Sequence, residues 1–181
     1  MKVLNEFKIP IIGMRQDHYQ FDFQIDKSFF EAFDEPLYTN GDLKVTVMLN
    51  KQVGMIELDF IVKGKMLTEC DRCLADIYIP VADEQHLIVK YSEEEQLEED
   101  EIVYIHPDTP VLDLSQYIYE YICLAVPFIK TYDCEAETTP PCDQAMLAYL
   151  SKDEGQGTVY DETDDDAPSN SIWDDLKNKL N

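Results

Sequence analysis

Residues 43–62 read LKVTVMLNKQVGMIELDFIV, two runs of alternating apolar and polar residues on either side of a turn signal. Side chains in a β-strand alternate between the two faces of a sheet, so each run predicts a strand with one buried face. The turn signal extends from Asn50 to Gly54. Residues 42–68 therefore predict a hairpin with a long second strand.

The same alternation continues on both sides of this hairpin. It predicts one strand before it, at Tyr19–Ile25, and later strands at Ile77–Val81, continuing to Tyr91, and at Ile102–Ile105. Consecutive strands without helices between them indicate an antiparallel β-meander or a partly closed barrel-like sheet, not a parallel nucleotide-binding sheet. None of the six glycines belongs to a glycine-rich phosphate loop.

One main helix is predicted to cover the sheet. Asp113 is its expected cap, Gln116 completes a capping box, and Pro127 ends it. Its apolar face has helical spacing and consists of Leu114, Tyr117, Ile118, Tyr121, Ile122 and Ala125. The predicted fold class is therefore α+β.

The composition divides the chain into three parts. Residues 1–150 predict a single α+β domain. Residues 151–170 predict a flexible acidic linker, because so polar a segment cannot bury enough surface to offset its ordering entropy. Residues 171–181 predict a short amphipathic helix, which must dock on this chain's own sheet or on a partner. Its candidate partner-binding residues are Trp173, Leu176 and Leu180.

The charge of the chain limits its partners. Its 181 residues include 14 Lys and Arg against 38 Asp and Glu, a formal net charge of −24. Binding to naked RNA through a basic face requires Lys and Arg to neutralise phosphates, so it is not expected. A basic partner is expected instead. Residues 93–101 hold seven acids in nine positions and predict an exposed acidic loop.

The apolar segments predict a cytoplasmic protein without membrane contact. Residues 1–21 contain no continuous apolar run of signal-peptide length, and the most apolar stretch, Tyr117–Ile129, is too short to cross a bilayer. In a reducing compartment, the five cysteines are expected to be thiols or metal ligands and not a disulfide framework.

Four of the cysteines form two pairs. Cys70 and Cys73 have C-x₂-C spacing at a hairpin turn, and Cys134 and Cys142 follow the helix in a polar loop. If the fold brings the pairs together, four thiolates can hold a structural zinc ion. Two alternatives stay open: unrelated thiols, or a redox centre with an exposed thiol of depressed pKa. Cys123 falls off the apolar helix face and is not expected to be a ligand.

The order of these motifs resembles the YceD family, the bacterial large ribosomal RNA subunit accumulation proteins. The resemblance covers residues 40–181 and is most specific at Cys70–Leu74 and in the helix that ends at Pro127; the segment from Trp173 matches more loosely. It implies a non-catalytic factor in accumulation or maturation of 23S ribosomal RNA. With the acidic charge, it favours binding to a basic ribosomal protein or a large-subunit precursor. The alternative hypothesis is a cysteine-based redox or hydrolytic enzyme.

Overall fold

The computed structural model of the chain describes residues 3–93, 101–133 and 139–153. The chain divides into two compact units, Met1–Gln144 and Ala145–Asn181. The first unit contains all the described strands and the main helix.

The first unit is built from two sheets and short helices. The larger sheet has five strands in the order β2 (His18–Ile25), β3 (Gly41–Lys51), β4 (Met55–Glu69), β5 (Asp76–Tyr91) and β6 (Ile102–Ile105). A separate antiparallel pair consists of β1 (Lys8–Pro10) and β7 (Val111–Asp113). The helices of the first unit are a 3₁₀ turn (Val3–Phe7), α1 (Lys27–Phe30) and α2 (Ser115–Ala125). The described part of the second unit is helical, since α3 (Gln144–Asp153) belongs to it except for its first residue.

The predicted α+β class and antiparallel meander are confirmed. Strands β2 to β5 pair antiparallel in sequence order. Strand β6 instead lies parallel to β5, because the chain returns from Tyr91 to the level of Ile88 before β6 begins. The sheet is open, since its edge strands β2 and β6 are not paired with each other in the described structure.

One face of the large sheet forms the core. The ring of Phe60 on β4 packs edge-on against Tyr121 of α2, with 5.0 Å between ring centroids. Beside it, Phe7 contacts Phe23 and Phe29 at centroid distances of 5.1 and 4.8 Å. The opposite face of the sheet carries mostly polar and charged side chains, so α2 and the N-terminal aromatic residues cover one side only.

At Gly64, strand β4 lies too close to the backbone of β3 to leave room for a side chain. A Cβ at this position would clash with the carbonyl oxygen of Asp42 and lie 2.6 Å from the Cα of Leu43. Both contacts are with backbone, which cannot move aside without separating the strands. Only glycine therefore allows the long strand β4 to continue past this point.

The start of α2 differs from the prediction. The residue at the N-cap is Leu114, which has no capping side chain, so the expected capping box does not form. Asp113 is the last residue of β7 and pairs with Lys8, which delays the helix by one residue. Its carboxylate still accepts hydrogen bonds from the N–H and Oγ of Ser115, at 3.0 and 2.6 Å. Gln116 instead donates to Glu120 at 2.7 Å.

Helix α3 has no counterpart among the predicted elements. It ends at Asp153, past Ser151, where the acidic linker was predicted to begin. The rest of that linker and the predicted helix at 171–181 lie outside the described residues. In the part of the chain that is described, no helix is long and apolar enough to span a membrane.

Candidate partner-binding surface

The turn between β4 and β5 holds the first cysteine pair. Cys70 and Cys73 are both buried free thiols. The N–H of Cys70 donates to the carbonyl of Ala75, and the N–H of Leu74 donates to the carbonyl of Cys70, each at 2.9 Å. Leu74 has a φ of 61°, a left-handed conformation that is costly for leucine. The surrounding hydrogen bonds thus hold the turn in one conformation.

Several N–H groups surround the sulfur of Cys70. Burial raises the pKa of this thiol, but hydrogen bonds outweigh it and leave the pKa below its ordinary value. The donors are the backbone N–H groups of Arg72, Cys73 and Tyr132, together with the side chain of Cys73. Donors to sulfur stabilise its negative form, so this environment suits a thiolate or a metal-bound sulfur.

Residues 127–132, which we call the strap, follow α2 and are fastened to this turn. The N–H of Asp71 donates to the carbonyl of Lys130 at 2.8 Å, and the N–H of Lys130 donates to the Asp71 carboxylate at 2.6 Å. The ammonium of Lys130 lies 3.5 Å from the other Asp71 carboxylate oxygen. These contacts join residues 59 positions apart and fasten the backbone of the strap at Lys130.

Large apolar side chains are exposed on the strap and at the end of α2. Phe128 is 97% exposed, and Leu124 and Ile129 are each 70% exposed, whereas Val126 between them is buried. We call Leu124, Phe128 and Ile129 the strap surface. An aromatic ring that is almost fully exposed on a fixed backbone contributes little to the core. Exposed apolar patches of this kind mark interaction sites.

Acidic residues flank the strap surface. Glu120 lies one helical turn before Leu124, and Asp133 directly follows the strap; both are exposed. In the sequence, the exposed apolar residues thus stand between two exposed carboxylates, and a basic protein with an apolar patch has the complementary character.

The other side of α2 is tied to the segment that follows α1. The ring of Tyr119 stacks on Phe33 with 4.4 Å between centroids, and its hydroxyl accepts a hydrogen bond from the N–H of Leu37 at 2.7 Å. Cys123 lies one helical turn further on. Burial raises the pKa of its thiol, so this cysteine stays protonated and unreactive at neutral pH.

The structure brings together only part of the predicted zinc site. Cys70 and Cys73 share one turn, whereas Cys134 lies outside the described residues. Cys142 is buried and disulfide-bonded, and a sulfur in a disulfide is not a thiolate ligand. Within the described ranges, no group of three or more His, Cys, Asp or Glu side chains is placed to hold a metal ion. The disulfide at Cys142 departs from the expectation that the cysteines are thiols or metal ligands, so the four-cysteine zinc site stays a prediction that requires this bond to be reduced.

The candidate partner-binding residues expected from the sequence differ from the apolar residues that the structure exposes on the strap surface. Trp173, Leu176 and Leu180 lie outside the described residues. The strap surface was not predicted. A signal for it does exist, because Phe128 and Ile129 follow the helix-ending Pro127 and belong to no predicted element.

A protein-family model matches the chain. Its description is "Large ribosomal RNA subunit accumulation protein YceD", and the match covers residues 58–178. That range includes the cysteine turn, α2 and the strap. No curated protein and no solved structure matches the chain significantly.

Proposed function

Because this match covers more than half of the chain, the protein belongs to the YceD family of large ribosomal RNA subunit accumulation proteins, and we propose that it supports 23S ribosomal RNA maturation without catalysis. In this proposal it binds a basic ribosomal protein or a precursor of the large subunit. The family description supports a role in accumulation of large-subunit ribosomal RNA, and the exposed surface suggests how contact is made.

The observation that carries the proposal is the exposure of Phe128 on the fixed strap. A partner that covers this ring removes a large apolar side chain from water. The hydrogen bonds between Asp71 and Lys130 hold the backbone before binding, so little further ordering is needed. A pre-positioned aromatic side chain is typical of residues that dominate binding energy.

Charge favours a basic partner. The net charge of −24 attracts basic proteins over a distance and repels free RNA. Glu120 and Asp133 are also negatively charged, and they stand on either side of the strap surface in the sequence. Attraction between exposed charges is screened within about 8 Å at physiological ionic strength, so binding should weaken as salt is added.

The cysteines support a non-catalytic role. A cysteine nucleophile needs both solvent access and a depressed pKa. Cys70 has a lowered pKa but is buried, and Cys123 is half-buried with a raised pKa. Neither of these thiols combines the two requirements, which disfavours the alternative of a cysteine-based enzyme.

Co-sedimentation tests this function. The tagged full chain is mixed with large-subunit precursors or mature large subunits and separated on density gradients at low and moderate salt. We expect it to migrate with precursors at low salt, to be released at moderate salt, and to resist displacement by protein-free 23S ribosomal RNA. Equal binding at both salt concentrations, or full displacement by the free RNA, would contradict the proposal.

A further inference from the structure

A cleft of about 770 Å³ lies at one end of the large sheet, apart from the strap. Its walls are formed by the chain between β1 and β2, the turn between β3 and β4, and the ends of β5 and β6. The lining residues are 11–16, Lys51 at the end of β3, residues 52–54, Tyr91 at the end of β5, and Pro107 and Thr109 after β6. This volume falls within the range of roughly 300–1,000 Å³ that is usual for small-ligand sites.

The charge of the cleft is opposite to that of the chain. Asp and Glu make up 38 of the 181 residues, yet none of the described residues that line the cleft is acidic. Two of them, Arg15 and Lys51, are basic. The cleft therefore offers an anion local positive charge within a strongly negative molecule.

Lys51 is held in the wall of the cleft without a counter-ion. Its half-buried ammonium donates to the carbonyls of Ile11 and Met14, at 2.8 and 3.1 Å. These two hydrogen bonds use two of the three N–H groups of the ammonium, and Lys51 forms no ion pair with a described carboxylate. An anion in the cleft could accept the third N–H and compensate the charge.

Arg15 is adjacent in sequence to a residue that holds the Lys51 ammonium. It directly follows Met14, whose carbonyl accepts from Lys51. The backbone carbonyl of Arg15 accepts from the Tyr19 hydroxyl, while its guanidinium, on an exposed residue, has no described acceptor. A guanidinium and an ammonium on one wall are a common arrangement for holding phosphate.

The remaining walls suit a planar, partly apolar group. Ile12 and Val53 are 60% and 81% exposed, and the ring of Tyr91 is half-buried beside them in the lining. Aromatic and apolar side chains of this kind contact nucleobases. Gln16 is also exposed and offers an amide that can hydrogen-bond to a base edge.

We propose that this cleft binds a nucleoside phosphate, with the phosphate at Arg15 and Lys51 and the base against Tyr91. The proposal rests on the proposed function. The nucleotide that binds is either a free nucleotide or the terminal nucleotide of a precursor RNA strand. One terminal contact of this kind is compatible with repulsion of free RNA by the chain as a whole.

Calorimetric titration of the full chain tests the proposal. The probes are guanosine and adenosine monophosphates, inorganic phosphate, a polyglutamate peptide, and a short oligoribonucleotide with and without a 5′-phosphate. We expect a nucleoside monophosphate to bind more tightly than inorganic phosphate or polyglutamate. Tighter binding of the 5′-phosphorylated oligonucleotide than of the mononucleotide identifies an RNA end as the source, and the reverse order identifies a free nucleotide.

Variants separate this site from a general charge effect. Arg15→Gln removes an exposed side chain and should weaken nucleotide binding about tenfold, the loss of one charge-assisted hydrogen bond. Arg15→Lys should restore part of it. Arg72→Gln removes the same charge from an exposed position outside the cleft and should have no effect.

Equal affinity of wild type and Arg15→Gln, or no binding of any nucleoside monophosphate, overturns the proposal. Neither result bears on co-sedimentation, because the titration contains no ribosomal component.

Discussion

Phe128→Ala should abolish most partner binding while the fold stays intact. Its ring is 97% exposed, so truncation removes almost no buried area. We expect the free energy of unfolding to change by less than about 0.5 kcal/mol, or Tm by less than about 2 °C. A phenylalanine ring that a partner covers buries roughly 150–250 Å², an upper limit of about 4–6 kcal/mol at about 25 cal/mol per Å².

Measured truncations of dominant interface residues cost about 2 kcal/mol or more, which corresponds to a roughly 30-fold increase in Kd. The assay is surface-immobilised precursor titrated with wild-type and variant chains, next to a thermal melt of each chain. Met48→Ala is the control, because Met48 is 47% exposed on β3, on the open face of the sheet. Unchanged binding of Phe128→Ala, or an equal loss with Met48→Ala, would refute the role of the strap surface.

Four other changes give separate tests. Cys70→Ser should release bound zinc and lower Tm whereas Cys123→Ser should do neither; elemental analysis that finds no zinc in wild-type protein purified without chelator rejects the site. Gly64→Ala should destabilise the fold by about 1–3 kcal/mol in denaturant unfolding, since the added Cβ forces strands apart; an unchanged midpoint would contradict the close approach. Burial raises the pKa of Asp113, but hydrogen bonds from Ser115 and the nearby Lys8 outweigh this effect and leave the pKa below its ordinary value. Its carboxylate therefore stabilises the fold fully above the ordinary aspartate pKa, and this contribution is lost as the pH falls through the lowered native pKa. Asp113→Asn should accordingly lower Tm at about pH 7 and have a progressively smaller effect as the pH is lowered into the acid range. Trp173→Ala should weaken precursor binding at unchanged Tm; a lower Tm would instead place that side chain in the chain's own core.

Local patterns predicted most of the large sheet. The alternation of apolar residues is imposed by burial of one face, and for β3, β4 and β5 it gave the strands and their order. The parallel pairing of β6 was not predicted, because it depends on the path of the chain after Tyr91 and not on the sequence of the strand. The short strands β1 and β7 were missed because three residues are too few to show a period.

The candidate site was predictable only where its signal is local. The C-x₂-C spacing and the hairpin pattern around it placed Cys70 and Cys73 on one turn. The strap depends on hydrogen bonds between Asp71 and Lys130, and nothing in either segment alone indicates such a contact. The exposure of Phe128 is likewise a tertiary property, since an apolar residue after a helix is usually buried.

The fastening of the strap to the cysteine turn has a consequence for newly made chains. Synthesis proceeds from the N-terminus, so β4 and its turn exist before the strap has been made. Contacts between distant residues form late in folding, because the intervening chain must be ordered first. Asp71 and Lys130 are 59 positions apart, and the chain between them includes all of β5 and β6. Phe128 is thus held in place only on a chain whose sheet is finished, and a partner that recognises it selects completed molecules over nascent or misfolded ones.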